Sequence, residues 1–368
     1  MIRSCCRALC LLFFCLAFLS SPQAAPRQVE VAFVLDTTGS MSGLIDGAKK
    51  KIWSIANTIV DQYPGAEIRF GLVGYRDLGD DYVTKHFPLT TDVQGIYAQL
   101  LQFRAGGGGD TPESVNEALD VTVTKLGWSD SRQVKADRVL FLVGDAPPHM
   151  DYDQDRKYPE VIAEAVQKGI IVNTVQCGDM GSTREVWQKM AKLGNGDYLA
   201  IPQDGGRVRV IATPYDEQIV IIQRKLNVTI IPYGSTARQS EVREKARMYE
   251  AAPPAASADM SSYVSKSKGG GAVVTGGGDL VLDSREGRVK LESLPKEQLP
   301  AEMQTMSPAE QEAYLKGKAA ERETLARELA ELVQKRDAYV RDEEKKAPKG
   351  PEDSFDAGVK RTLEKQMK

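Results

Sequence analysis

The segment Asp36-Thr37-Thr38-Gly39-Ser40-Met41-Ser42 sets one carboxylate and two hydroxyls on alternate positions, at Asp36, Thr38 and Ser40. In an extended turn alternate side chains project to the same side, so these three oxygens can converge on one point. A hard divalent cation takes such oxygen ligands. The same residue types also suit a helix N-cap, where a side-chain oxygen accepts from free backbone N–H groups. Taken alone, the motif supports both readings.

The turn joins a strand to a helix. Residues 31–35 are a short apolar run ending at Asp36, the pattern of a buried strand. Leu44, Ile45, Ala48, Ile52, Ile55, Ala56 and Ile59 fall at helical spacing and predict a helix over 42–63, stopped by Pro64-Gly65. Further strands are predicted at 68–75, 84–89 (an edge), 138–144, 170–175 and 196–201. Helices are predicted at 93–103, from Pro112 to about 124, and at 159–168, 183–193 and 213–226. The unbroken apolar run from Val139 to Val143 is that of a strand buried on both faces. This alternation predicts an α/β fold: a doubly wound, mostly parallel sheet flanked by helices.

Beyond this unit the composition changes. Residues 234–278 are expected to be a flexible linker, because 251–267 are rich in Ala, Pro and Ser and glycine triplets follow at 269–271 and 276–278. Residues 279–346 are expected to form a helical tail. Ser307, Pro308 and Glu310 supply a cap, a first-turn proline and an N3 acid. Leu325, Leu329, Leu332 and Tyr339 make a heptad-like seam that Arg336 interrupts, which favours a solvated helix or hairpin packing on its neighbours over a coiled coil. Residues 347–368 are a short C-terminal segment with a last helix expected from Phe355.

At the other end, residues 1–25 have the plan of a secretory signal peptide: Arg3 and Arg7, an apolar run at 8–19, then small residues, with cleavage expected near Ala24 or Ala25. The run is short of the ~20 apolar residues a spanning helix needs, so no stable membrane span is expected after cleavage. Export to the periplasm or the extracellular space follows. Cleavage removes four of the five cysteines and leaves Cys177, which excludes an internal disulfide. Cys177 ends an apolar run and is expected to be a buried small hydrophobe. The formal net charge of −3 gives no basic surface for nucleic acid.

The Asp36 motif matches the D-x-[ST]-x-S pattern of the metal-ion-dependent adhesion site, and residues 29–230 resemble a von Willebrand factor type A domain of the exported bacterial type. The resemblance implies two more ligands. Thr111, in Gly106-Gly107-Gly108-Gly109-Asp110-Thr111-Pro112-Glu113, fits the family's threonine ligand, with Asp110 the second candidate. Asp145, directly after the strand at 138–144, fits its second acidic ligand. In a doubly wound sheet ligands gather outside the carboxyl ends of the strands, and Asp36 and Asp145 both occupy such ends. Gly71-Leu72-Val73-Gly74-Tyr75-Arg76-Asp77 and Gly144-Asp145-Ala146-Pro147-Pro148-His149 carry the likeness further.

What the resemblance implies is a non-enzymatic adhesion or interaction module. Thr38 and Ser40 would bind a divalent cation directly and the acids would act partly through water. An acidic side chain of a protein partner would then replace one water. Mg²⁺ is the expected ion, with Mn²⁺ and Ca²⁺ as alternatives. Two other functions compete. A metal-dependent hydrolase needs a base beside the metal, and the histidines are His86, expected on the edge strand, and His149, expected on an acidic rim loop. An assembly factor would act through the helical tail.

Overall fold

The computed structural model describes residues 27–206, 211–251, 254–267, 274–346 and 354–366. The expected signal peptide and the first glycine triplet lie outside the described residues.

Six strands form one sheet in the order β3-β2-β1-β4-β5-β6. They are β1 (Gln28–Asp36), β2 (Glu67–Tyr75), β3 (Thr84–Thr90), β4 (Ala136–Gly144), β5 (Ile170–Cys177) and β6 (Asn195–Ile201). All pairings are parallel except β2 with the edge strand β3. The helices between them are α1 (Ser42–Gln62), α2 (Val93–Gln102), α3 (Val115–Lys125), α4 (Tyr158–Gln167) and α5 (Gly181–Leu193), followed by α6 (Asp216–Val228). The doubly wound α/β fold is therefore as expected.

Side chains alternate across a strand, so a strand covered on both sides is apolar along its central run. In β1, Val29, Val31, Phe33 and Leu35 enter the core beneath α1 and α2, while Ala32 and Val34 enter the core beneath α3, α4 and α5. In β4, Val139, Phe141 and Val143 take the first face and Leu140 and Leu142 the second. Phe33 and Phe141 stack at 5.7 Å between ring centroids, which locks the two central strands in register. Cys177 is buried in the first core, as its apolar neighbours imply.

The predicted flexible linker is largely helical: residues 236–266 carry α7 (Thr236–Ala251) and α8 (Pro254–Lys266). Alanine is the best helix former, and small side chains allow close helix packing. Ser257, Ala258, Ser261 and Ser262 are buried on α8, with the Ser261 hydroxyl donating to the Ser257 carbonyl at 2.8 Å. On the same helix Met260 and Tyr263 enter the first core, where Tyr263 lies 5.8 Å from Trp53 of α1. A composition typical of linkers here makes a packed element.

The long helix Pro308–Lys346 starts with the expected capping interaction, the Ser307 backbone N–H and hydroxyl both donating to the Glu310 carboxylate at 2.7 Å. It buries Leu325, Leu329, Val333 and Arg336 against α6 and α8. Arg336, which breaks the heptad pattern, is a paired buried cation: its Nε donates to Asp216 at 2.9 Å and its other end meets Asp259 at 2.7 Å. The helix Phe355–Gln366 packs on α1 and inserts Phe355, Val359 and Leu363 into the first core. The region after residue 234 thus completes the hydrophobic core of the sheet unit.

Candidate functional site

The site lies where the strand order of the sheet reverses. β1 sits between β2 and β4, reached by crossovers on opposite faces, and the crevice at their carboxyl ends is the usual ligand position of this topology. Register puts Asp36 opposite Tyr75 on one side, and Leu35 opposite Val143 on the other. Asp145, two residues after Val143, therefore shares the rim with Asp36. Gly144 permits the approach: a β-carbon there would stand 3.1 Å from the Asp36 carboxylate and 2.4 Å from the Tyr75 hydroxyl.

Asp36 is fully buried. Its Oδ1 accepts from the Thr38 backbone N–H at 2.8 Å and the Thr38 hydroxyl at 2.7 Å, and the Thr38 and Ser40 hydroxyls are 3.4 Å apart. The three residues singled out by alternate spacing do converge. They do not cap the helix; neither the short turn at Gly39–Met41 nor α1 has a side-chain cap. The Asp36 Oδ2 is buried without a hydrogen-bond partner. Burial, opposed by the Thr38 hydrogen bonds and reinforced by the charge of Asp145, pushes the Asp36 carboxyl up to about 7. Asp145 is half-buried, and its Oδ2 accepts from the Gln203 side chain at 2.6 Å.

The glycine-rich loop is stitched to the same turn. Gly106 N–H donates to the Thr37 carbonyl at 3.1 Å and Gly39 N–H to the Gly107 carbonyl at 3.2 Å. Gly107 and Gly108 have φ of +76° and +83°, a region that side chains rarely adopt. A β-carbon on Gly108 would meet Thr38 at 3.3 Å and the Glu113 carboxylate at 3.4 Å. Thr111 lies just beyond this contact and is exposed. Among the described residues no side-chain hydrogen bond ties it to Asp36 or Asp145. The helix expected to open at Pro112 begins later, at Val115, because Glu113 is drawn into an extended bridge with Pro148.

Glu113 is the acid that sequence reading left out. It is 4% exposed, and one of its carboxylate oxygens has no partner. Burial first, then the charges of Asp36, Asp77 and Asp145, push its carboxyl up to about 9. In the sequence it passes for an ordinary acid at a helix start. The available signal was its place one turn from a run of glycines, which lets a backbone approach it closely.

The opposite end of the sheet shows what a buried acid without a site looks like. There Glu30 is fully buried and pairs with Arg69 at 2.5 Å and Arg138 at 3.4 Å. Among the described residues, no lysine or arginine pairs with Asp36, Glu113 or Asp145. A buried carboxylate is expensive unless a cation or hydrogen bonds compensate it. An all-oxygen donor set with an orphaned, buried carboxylate oxygen fits a hard divalent cation.

The von Willebrand factor A domain family model matches residues 30–210. These residues form a von Willebrand factor A domain. The chain is 27% identical over 128 residues to the alpha-protein kinase vwkA of Dictyostelium discoideum, covering 34% of this chain and 19% of that protein. It is 35% identical over 97 residues to von Willebrand factor A domain-containing protein 7 of Rattus norvegicus, covering 26% of this chain and 10% of that one. The match thus spans less than a fifth of either relative. Among solved structures, the conserved hypothetical protein BatB from Bacteroides thetaiotaomicron aligns at 17% identity with a TM-score of 0.35, covering 47% of this chain and 90% of that one. Within the A domain, Asp36, Thr38, Ser40 and Asp145 gather at one rim, and Thr111 sits on the adjoining loop.

Proposed function

We propose that this chain is an exported, non-catalytic interaction module that binds an acidic side chain of a partner protein through a divalent cation, Mg²⁺ first among the candidates. The observation that carries the reading is the buried Asp36 carboxylate, whose free Oδ2 meets no cationic side chain among the described residues while two hydroxyls and Asp145 stand beside it. Thr38 and Ser40 present the neutral oxygens. Asp36 and Asp145 supply the negative charge, with Gln203 holding Asp145 in place. Thr111 is the ligand offered by the glycine loop, whose positive φ at Gly107 and Gly108 brings its backbone close to Thr38.

When bound, the cation contributes a coordination position that a carboxylate oxygen can take. Neutral hydroxyl ligands leave it more attractive to an incoming acid than further carboxylates would. Glu113 stays buried beneath the site, where burial and the neighbouring acids favour its neutral form. The exposed face consists of Ser40, Thr111, Asp110 and Gln203, a polar surface open to a protein.

The test is capture of envelope or secreted proteins by the immobilised chain with Mg²⁺ or with chelator, repeated with Asp36→Ala. Capture that requires Mg²⁺, fails with Asp36→Ala and is competed by acidic peptides supports the reading. Capture indifferent to chelator refutes it. Metal-dependent turnover of chromogenic esters or phosphoesters that Asp36→Ala abolishes would replace it with a hydrolase. N-terminal sequencing of the exported protein checks cleavage near Ala25.

A further inference from the structure

A second cluster adjoins the rim, built from side chains that are not among the five ligands of the first site. Asp77, just past the end of β2, Asp110 on the glycine loop and His149 after β4 bring one ligand atom each within 4.8 Å of one another. His149 is 5% exposed, and its Nε2 is buried with no hydrogen-bond partner. That nitrogen lies 3.4 Å from the Asp77 carboxylate and 3.6 Å from the Asp110 carboxylate.

The tautomer is set from behind. His149 Nδ1 is 2.9 Å from Asp151 Oδ1. A carboxylate only accepts, so Nδ1 carries a proton, and Nε2 is aimed at the carboxylates of Asp77 and Asp110, where a metal ion would stand in place of a second proton. The ring cannot turn away, because Tyr152 stacks on it at 3.9 Å and 8°. The Tyr152 hydroxyl donates to Asp77 Oδ2 at 2.9 Å and the Ser114 hydroxyl to Asp77 Oδ1 at 2.8 Å, which fixes Asp77 as well.

The distances discriminate between a hydrogen bond and a shared ion. An N–H···O hydrogen bond spans about 2.7–3.2 Å. Two ligands each about 2.0–2.1 Å from a tetrahedral ion stand roughly 3.3–3.4 Å apart. The 3.4 Å spacing to Asp77 matches the second case, and the 3.6 Å to Asp110 lies just beyond it. One imidazole and two carboxylates balance a divalent charge. Imidazole suits d-block ions of the zinc class, whereas Mg²⁺ favours oxygen donors. A carboxylate behind the ligating histidine is the usual supporting arrangement of such sites.

We infer that Asp77, Asp110 and His149 form a second metal site, selective for a zinc-class divalent ion and separate from the Asp36 site. Asp110 is its accessible ligand, with a side chain 58% exposed. The inference stands on these three residues and does not need the first site to bind Mg²⁺.

The experiment is titration of the full chain with Co²⁺, read by its visible absorption, and with Zn²⁺ by calorimetry, both in excess Mg²⁺. The expected result is one equivalent bound, with affinity at least tenfold weaker in Asp110→Asn and in His149→Gln. Asp151→Asn, which removes only the supporting carboxylate, should weaken binding by about 10–100-fold. Asp36→Asn should retain the Co²⁺ spectrum. The exposed Asp110 makes Asp110→Asn a safe variant if His149→Gln fails to fold. Absence of Co²⁺ and Zn²⁺ binding would overturn the proposal and make His149 an imidazolium counterion. Binding that survives Asp110→Asn, or that only Asp36→Asn abolishes, would overturn it too.

Discussion

Asp36→Asn separates the charge of the first site from its shape. Asparagine keeps the Oδ1 that accepts from Thr38 and removes the charge, placing an amide beside Asp145 where the orphaned oxygen stood. In the wild type the Asp36 carboxyl is raised from 3.8 to about 7. A raised carboxyl means that the folded chain holds its proton more tightly than the unfolded chain. That contribution is present below about pH 4 and is lost as pH rises toward 7. At 1.36 kcal/mol per unit, the loss at pH 8 in chelator has a ceiling of about 4 kcal/mol. Metal-free Asp36→Asn should therefore be more stable than metal-free wild type at pH 8, by about 2–4 kcal/mol, and the gap should close near pH 4. Saturating Mg²⁺ at one hundred times its dissociation constant adds about 2.7 kcal/mol to the wild type and nothing to the variant. Urea unfolding in chelator at pH 8 and pH 4, then with Mg²⁺, reads all of these terms. The reasoning fails if metal-free Asp36→Asn is the less stable protein at pH 8, or if Mg²⁺ stabilises both proteins equally.

Three further substitutions probe the scaffold. Phe355→Ala should destabilise the chain by about 3–5 kcal/mol in urea unfolding, since Phe355 is buried against Phe33 in the main core; a loss under about 1 kcal/mol would make the last helix a loose appendage. Arg336→Ala strands the buried carboxylate of Asp216 and the partly buried one of Asp259 and should cost about 3–5 kcal/mol by the same measurement. Gly144→Ala forces a β-carbon against Tyr75 and Asp36. A displacement worth about 1.4 kcal/mol would weaken Mg²⁺ binding tenfold by calorimetry, and unchanged affinity would show that the close approach of Asp36 and Asp145 does not matter.

Elements governed by local periodicity were legible in the sequence. The apolar runs of β1 and β4 and the helical spacing of α1 are local signals, and the loop Asp36-Thr37-Thr38-Gly39-Ser40 delivers its oxygens to one point because only three residues are involved. The second half of the chain was harder to read. Alanine and serine in α8 resemble a linker until the neighbouring helix is known, and their small size is what lets that helix pack. Arg336 looked like a defect in a heptad because Asp216 and Asp259 lie far away in sequence. His149 looked like a rim residue for the same reason: Asp77 and Asp110 come to it from two other loops. Glu113 shows the limit most clearly: the neighbouring glycines hint at a close backbone approach, but the burial of its carboxyl is a tertiary fact.

The central claim is that oxygens from separate loops hold one cation at the carboxyl end of β1. The most direct measurement is anomalous X-ray scattering from crystals grown with Mn²⁺. The account predicts a peak enclosed by Asp36, Thr38, Ser40 and Asp145, with Thr111 drawn in beside it. A peak confined to His149, or none at either place, would contradict it.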